Sequence, residues 1–187
     1  MIYFKEIDLD NYDLVLDQCR TYIKSNSKIY NRELAKASAY SIPIHILSQA
    51  CPELKSSFIK YGLHVVTASA YVMYKPEHTS LHVDLCRTKS RINLPIFNCE
   101  GTYLNFYSNA KTMLVTNPDS GYKNLHVTNP DECIVEAALE LKKATVVLIT
   151  EPHKVILPTG SVTPRITLSL GFDKDPTYLL SPHSLQR

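Results

Sequence analysis

The stretch Arg165–Phe172, which reads RITLSLGF, indicates the fold class and part of the chemistry. Polar and apolar residues alternate along it, and alternate residues of a β-strand lie on opposite faces. Arg165 and Thr167 therefore share one face of a predicted strand. An arginine on the inner face of a β-structure is costly unless it meets an anion, and its planar fork suits a carboxylate. The alternative for Arg165 is an ordinary salt bridge between strands.

The last two thirds of the chain consist of short segments that are β-branched or alternating and are separated by turn residues. Many short strands at such spacing predict a sandwich or a barrel. The expected strands cover residues 63–74, 91–97, 102–107, 112–116, 144–150, 153–157 and 165–172. Residues 134–143 stay ambiguous, because their Ala and Leu content favours a helix whereas their position between strands favours a strand.

The first third of the chain carries helical patterns instead. Apolar residues recur at helical spacing over residues 9–24, and further helices are expected over about 32–40 and over 52–60, the last ended by Gly62. A chain of 187 residues suits one domain. We therefore predict a single domain of mainly β (α+β) class, with a mostly helical part over residues 1–62, a β core over 63–173 and a tail over 174–187.

Composition and charge exclude several classes of protein. Hydrophobic residues make up 44% of the chain and charged residues 20%, which is typical of globular proteins. The net charge is only +2 and no window is densely basic, so we do not expect a nucleic-acid partner. The longest apolar run, residues 144–149, is too short to cross a membrane, so we expect no membrane partner. The N-terminus does not read as a signal peptide.

The cysteines indicate a cellular compartment. There are five, an odd number, and no two of them have Cys-x-x-Cys spacing. This pattern argues against a disulfide framework and against a structural zinc site. Scattered free cysteines suit a reducing environment, so we expect a cytoplasmic protein in which they fill the core.

His82 and Asp84 are the first candidates for a metal site. Residues i and i+2 of a strand project from the same face, so an imidazole and a carboxylate would point the same way. One nitrogen and one oxygen ligand on one side supply two corners of a metal site. The alternative is a surface His–Asp pair, which is the better interpretation when these two residues are considered alone.

A third ligand has to come from a distant part of the chain. His153 is the best candidate, because it follows the apolar strand predicted over residues 144–150 and opens the next one. Arg165 then lies twelve residues further on. His126 is the rival third ligand and ranks lower, because no arginine follows it at the corresponding distance.

The order of these residues resembles that in the Fe(II)- and 2-oxoglutarate-dependent oxygenases: His82-x-Asp84, then a distant His153, then Arg165-x-Thr167. The resemblance covers roughly residues 63–172. It implies a double-stranded β-helix, a form of jelly roll, with the N-terminal helices packed outside. It also implies that His82, Asp84 and His153 bind Fe(II).

Nine residues after His82, the segment Arg91-Ile92-Asn93-Leu94-Pro95 is similar to the aspartyl/asparaginyl β-hydroxylase branch, which includes small proline hydroxylases. In that branch an arginine at this offset helps hold 2-oxoglutarate, and a polar residue and a proline follow. This chain has Asn93 where the branch commonly has histidine. The alternative for Arg91 is a surface arginine.

The resemblance implies a role for each residue and an activity. One end of 2-oxoglutarate would bind the metal near Arg91 and Asn93, and its distal carboxylate would meet Arg165 with help from Thr167. Together with O2, the enzyme would hydroxylate a C–H bond of an amino acid, peptide or protein side chain, releasing succinate and CO2. The alternatives are an oxygenase acting on a nucleobase or another small metabolite, and a non-catalytic jelly-roll binding or structural protein.

Overall fold

The computed structural model describes residues 1–30, 38–75, 80–116 and 123–181, and within these ranges the chain is mainly β. The helices are α1 (Tyr12–Ser25), α2 (Ser27–Tyr30), α3 (Ile44–Ala50) and α4 (Glu53–Ser56). Short 3-10 helices cover Ile59–Tyr61, Pro130–Glu132 and Pro176–Leu180. The strands are β1 (Phe4–Glu6), β2 (Ser38–Ile42), β3 (Val65–Met73), β4 (His82–Asp84), β5 (Ser90–Phe97), β6 (Tyr103–Ser108), β7 (Thr112–Thr116), β8 (Lys123–Val127), β9 (Ile134–Glu140), β10 (Thr145–Leu148), β11 (His153–Ile156) and β12 (Arg165–Phe172).

These strands form two antiparallel sheets of six strands each. The first sheet has the order β1-β10-β5-β12-β3-β2, and the second sheet has the order β7-β8-β4-β11-β6-β9. Within the described residues no pairing joins an edge of one sheet to an edge of the other. The prediction of a mainly β protein is thus confirmed, in the form of two stacked sheets that are not closed into a barrel.

The helices pack on the outer face of the first sheet and build the larger core with it. The alternation of β12 sends Ile166, Leu168 and Leu170 to this face, where all three are fully buried. They share an apolar cluster with Val15 and Cys19 of α1. Full burial of one such side chain stabilises the fold by about 1.5–3 kcal/mol. No helix within the described residues is long and apolar enough to span a membrane.

A smaller core lies between the two sheets, where β6 and β9 face β10. Its buried members are Leu104, Phe106, Leu139, Leu141, Val147 and Ile149, with Tyr3 and Phe4 packed against them. Tyr3 and Phe4 both stack on the ring of Phe106. This cluster closes one side of the sandwich, and the polar residues of β12, β5 and β4 line the remaining space between the sheets.

The N-terminal third is less helical than predicted. Residues 32–37 of the helix expected over about 32–40 lie outside the described residues, and Ser38–Ile42 is strand β2. Local sequence favoured a helix there, but the free edge of β3 supplies backbone partners to all five residues of β2. Strand β1 likewise joins the edge of the first sheet beside β10 and was not predicted.

Three other differences involve later segments. The ambiguous residues 134–143 contain strand β9, which pairs with β6. Strand β8 was not predicted, because its residues were assigned to a loop. The expected tail is partly core: Pro176, Leu179 and Leu180 are buried in the last 3-10 helix, while residues 182–187 lie outside the described residues. The remaining strands were predicted to within about two residues.

Candidate metal centre

Three side chains from two neighbouring strands of the second sheet converge between the sheets. His82 and Asp84 lie on β4, and His153, the first residue of β11, is the register partner of His82. One ligand atom from each residue lies within 4.8 Å of the other two. We call His82, Asp84 and His153 the triad. The structure therefore brings together the three residues that the sequence predicted as metal ligands.

The spacing of the triad is close to what a divalent ion requires. The Nε2 atom of His82 lies 3.6 Å from Asp84 Oδ1, and the Nε2 atom of His153 lies 3.8 Å from Asp84 Oδ2. Two ligand atoms at roughly 2.1 Å from an ion and at right angles to each other are about 3.0 Å apart. An inward movement of less than one ångström per side chain would complete such a geometry.

Backbone hydrogen bonds orient both imidazoles. His82 Nδ1 lies 2.8 Å from the carbonyl oxygen of Ser80, and His153 Nδ1 lies 2.8 Å from that of Glu151. A carbonyl oxygen only accepts, so each Nδ1 carries the proton and donates it. In its neutral form, each ring then keeps its lone pair on Nε2, which is the atom that faces Asp84.

Electrostatics favour the ligand forms of Asp84 and His153. Burial opposes ionisation of Asp84, but the two histidines and Arg91 outweigh it and lower the pKa of Asp84. Burial, reinforced by the charge of His82, lowers the pKa of His153. For His82 the Asp84 carboxylate outweighs burial and raises its pKa. Asp84 is thus ionised and His153 neutral at pH 7, as metal binding requires.

His126, the rival third ligand, occupies a different place. It lies on β8 as the register partner of His82, on the far side of β4 from His153. It does not belong to the group of close ligand atoms. Among the other histidines, His78 and His183 lie outside the described residues.

Arg165 is buried between the sheets without an acidic partner. Only 3% of its surface is exposed, and its Nε donates to Thr102 Oγ1 at 2.9 Å. No carboxylate in the described part of the chain forms an ion pair with it. Burial lowers the pKa of Arg165, which reflects the cost of an uncompensated charge in this position.

Thr167 lies beside Arg165 on the same face of β12 and is also buried. Its Oγ1 is 3.7 Å from the Sγ atom of Cys99. Thr102 precedes Phe106, the register partner of His153, by four residues. At the rise of a β-strand, the Arg165–Thr102 contact is therefore about 13 Å along the second sheet from His153.

Arg91 and Asn93 project from β5 into the same space between the sheets. Arg91 Nη1 donates to Thr67 Oγ1 at 2.8 Å, and Nη2 lies 3.7 Å from the Sγ of Cys86, two residues after Asp84. Gly171 makes room for this guanidinium, because a Cβ there would overlap Arg91 Nη1. Asn93 Oδ1 is buried, and none of the residues that the structure describes forms a hydrogen bond with it.

Arg165 and Arg91 lie on opposite sides of the triad along the strands. β4 and β11 are antiparallel, so the direction from His82 to Cys86 is opposite to the direction from His153 to Val155, which leads toward Thr102. The interior thus holds a possible metal site flanked by two arginines that lack acidic partners within the described residues.

Sequence reasoning missed two residues that face this interior. Thr102, which fixes Arg165, was expected at the start of a strand and was given no part in holding Arg165. Asn124 is the register partner of Asp84 on β8, and its segment was assigned to a loop. The alternation of Asn124 and His126 in KNLHV, after the turn residues of 117–121, was the available signal, but a segment of five residues with two apolar members is a weak one.

Comparison with models of known protein families gives no match for this chain. A search of curated proteins gives no match either.

Proposed function

We propose that this protein is an Fe(II)- and 2-oxoglutarate-dependent dioxygenase that hydroxylates a C–H bond of an amino acid, peptide or protein side chain. The two stacked sheets would form a double-stranded β-helix, a form of jelly roll, and the two antiparallel six-stranded sheets support this arrangement. When bound, iron and 2-oxoglutarate supply the oxidising power, using O2 and releasing succinate and CO2.

The composition of the triad supports iron as the metal. Two imidazole nitrogens and one carboxylate oxygen on one side of an ion are the donor set of non-haem Fe(II) oxygenases, and they leave other positions open. His82 and Asp84 would hold the ion from β4, and His153 would hold it from β11. The hydrogen bonds from Nδ1 to Ser80 and Glu151 would keep both rings in the binding orientation.

The buried arginine supports a dicarboxylate cosubstrate. Arg165 would bind the distal carboxylate of 2-oxoglutarate through its free donors, while Nε keeps its bond to Thr102. Thr167 would add a hydroxyl donor. This pairing would relieve the desolvation cost of the Arg165 charge.

Arg91 and Asn93 would lie near the metal end of the cosubstrate. The field of Arg91 reaches Asp84, whose pKa it helps to lower. Asn93 would use its neutral carboxamide where relatives of this branch commonly have histidine. The observation that carries the whole proposal is the combination of an oriented His/Asp/His triad with a buried arginine that has no acidic partner in the described part of the chain.

The test is a thermal unfolding series with Mn(II), an inert substitute for Fe(II), and N-oxalylglycine, an unreactive analogue of 2-oxoglutarate. A ligand at 100 times its Kd stabilises a native protein by about 2.7 kcal/mol, so the midpoint should rise with Mn(II) and rise further with both ligands. His82→Ala should abolish the Mn(II) response. His126→Ala is the matched control and should keep it.

Two results would refute the proposal. One is a His82→Ala protein that binds Mn(II) as tightly as the unaltered protein does. The other is an N-oxalylglycine response that is equally large with and without Mn(II).

A further inference from the structure

The space between the sheets is closed on one side and open on the other. The apolar cluster around Phe106 seals the side where β6 and β9 face β10. On the opposite side, β2 and β3 end the first sheet and β8 and β7 end the second sheet. Residues facing inward there stay exposed, including Tyr71 at 39% and Met113 at 57%. The triad lies between the closed side and the open side.

The walls of this opening are defined by strand register. On the first sheet, Ala39 and Ser41 of β2 pair with Tyr71 and Ser69 of β3, and these share the inner face with Thr167. On the second sheet, one row runs from His153 through His82 and His126 to Met113, and a second row contains Asp84, Asn124 and Val115. We call the space between these two walls the open groove.

Asn124 is the unsatisfied polar group of this groove. Because it pairs directly with Asp84, its side chain lies on the triad face of the sheet, with Cβ atoms about 5 Å apart. Its Oδ1 atom is buried and has no hydrogen-bond partner within the described residues. A buried acceptor without a donor is destabilising, so a ligand that brings a donor there would gain affinity.

We propose that Asn124 orients the substrate in the open groove, by pairing its carboxamide with a main-chain amide of an extended peptide segment. The carboxamide oxygen would accept from a peptide N–H, and its NH2 group would donate to a peptide carbonyl. This inference rests on the proposed function for the reaction itself, and it assigns the substrate of that reaction to one class.

The dimensions of the groove favour a flexible segment over a folded surface. The triad strand β4 lies two strands in from the edge strand β7, which is about 10 Å at the spacing of neighbouring strands. A side chain on a rigid folded surface would have to extend over this distance, from the edge strand β7 to β4, to reach the triad. An extended segment can instead enter the groove with its backbone.

The charge of the groove favours an uncharged segment over a polyanion. Between the Asp84 row and the outer strands, the described lining residues include no Lys, Arg, Asp or Glu; they are Ala39, Ser41, Thr67, Ser69, Tyr71, Met113, Val115, Asn124 and His126. Among the described residues, the cation that reaches this path is Arg91, at Thr67. That is too little charge for a nucleic-acid strand, because phosphate contacts supply most of its affinity.

Methionine-methyl NMR can test this inference without metal. The chain has three methionines: Met113 on the groove wall, Met73 buried on β3, and Met1 at the N-terminus. The protein labelled with 13C in its methionine methyls is titrated with a pool of N-acetylated, C-amidated tetrapeptides built from uncharged residues. We expect the Met113 resonance to shift and those of Met73 and Met1 to stay in place.

The variant Asn124→Leu keeps the branched shape and the number of side-chain heavy atoms and removes both hydrogen-bonding groups. It should weaken the Met113 response about tenfold in Kd, the value of one or two hydrogen bonds. Asn105→Leu is the matched control, because Asn105 Oδ1 is also buried and unpartnered but lies on the opposite face of the second sheet, one residue before Phe106. That variant should bind the pool as the unaltered protein does.

Other probes separate the competing substrates. A larger Met113 response to free amino acids, or to a single-stranded oligonucleotide, would overturn the peptide assignment. An unchanged response in Asn124→Leu would overturn the role of Asn124. Because these readings need no metal, they stay distinct from the Mn(II) response, whose loss would count against the proposed function alone.

Discussion

Arg165 is held between the two sheets by one hydroxyl group and faces no acid within the described residues. A buried charge without a partner destabilises a protein, and replacing such charges by apolar groups often stabilises it by about 1–4 kcal/mol. The same charge would be essential once an anion is bound. Stability and ligand affinity should therefore respond in opposite directions to one substitution.

Arg165→Met retains most of the side-chain volume and removes the charge. We expect the ligand-free variant to have a higher free energy of unfolding in urea, by about 1 kcal/mol or more. Its affinity for N-oxalylglycine in the presence of Mn(II), measured by calorimetry, should fall at least about thirtyfold. Arg20→Met, at an arginine that donates to the carbonyl of Ile96, should leave that affinity unchanged. A less stable Arg165→Met protein with normal affinity would give Arg165 a purely structural role.

Two residues of the triad, His82 and Asp84, could be predicted at the residue scale because their signal is local. His82 and Asp84 are separated by two positions in a strand, and strand period alone puts them on one face. His153 could be proposed only by assuming which strands pair, because the sequence does not show that it is the register partner of His82. The buried environment of Arg165 could be argued from alternation, but its contact with Thr102 depends on how the sheets stack.

At the scale of the element, Asp175 shows how the C-terminal 3-10 helix is attached. Its carboxylate accepts from Thr177 N–H at 3.0 Å, from Lys89 N–H at 2.6 Å and from the Ser90 hydroxyl at 2.8 Å. Burial opposes its ionisation, yet these hydrogen bonds prevail and lower the pKa of Asp175. The helix is thereby tied to the start of β5.

Asp175→Asn should destabilise the protein in a pH-dependent way. A carboxyl with a lowered pKa in the folded state stabilises the fold above its unfolded pKa of about 3.9, and that contribution is lost as pH falls through the folded value. At pH 7 we expect a loss of about 1–2 kcal/mol in the free energy of unfolding. Urea titrations should show the difference shrinking below about pH 4. A deficit that stays constant down to pH 2 would show that ionisation of Asp175 is not its source.

Strand β2 explains why other elements were mispredicted. The local sequence around it favours a helix, and the strand conformation of SAYSI comes from pairing with the backbone groups of β3. The same holds for β1 and β8, which have three and five residues and add to existing strands. Long alternating segments such as β12 carry their own signal, whereas short added strands depend on contacts that sequence spacing does not encode.

At the scale of the whole molecule, the asymmetry between the two faces of the first sheet was largely predictable. The apolar residues on one face of β5 and β12 must be buried, and the N-terminal helices are the elements available to bury them. The open groove was not predictable, because it depends on which strands end each sheet. Edge position follows from the complete set of pairings.

The pairing between β4 and β11, in the middle of the second sheet, is very short. β4 has three residues and meets β11 through the single register pair His82–His153, helped by a hydrogen bond from Asp84 N–H to the carbonyl of Ile149. β11 pairs with β6 over four residues, and β4 pairs with β8 over three. The hairpin β7–β8 and β4 should therefore open locally before the rest of the protein unfolds.

A divalent ion on the triad would cross-link the two parts of this sheet, because its ligands come from both β4 and β11. Amide hydrogen exchange followed by mass spectrometry should then slow in β4 and β8 when Mn(II) is added, by up to about a hundredfold at 100 times its Kd. The His82→Ala protein should show no such protection. Equal exchange with and without Mn(II) in the unaltered protein would mean that metal does not cross-link the two parts of the sheet. The β7–β8 hairpin also forms one wall of the open groove. If Fe(II) is the ion, as proposed, its concentration would determine the fraction of molecules in which this wall is folded and can bind a substrate.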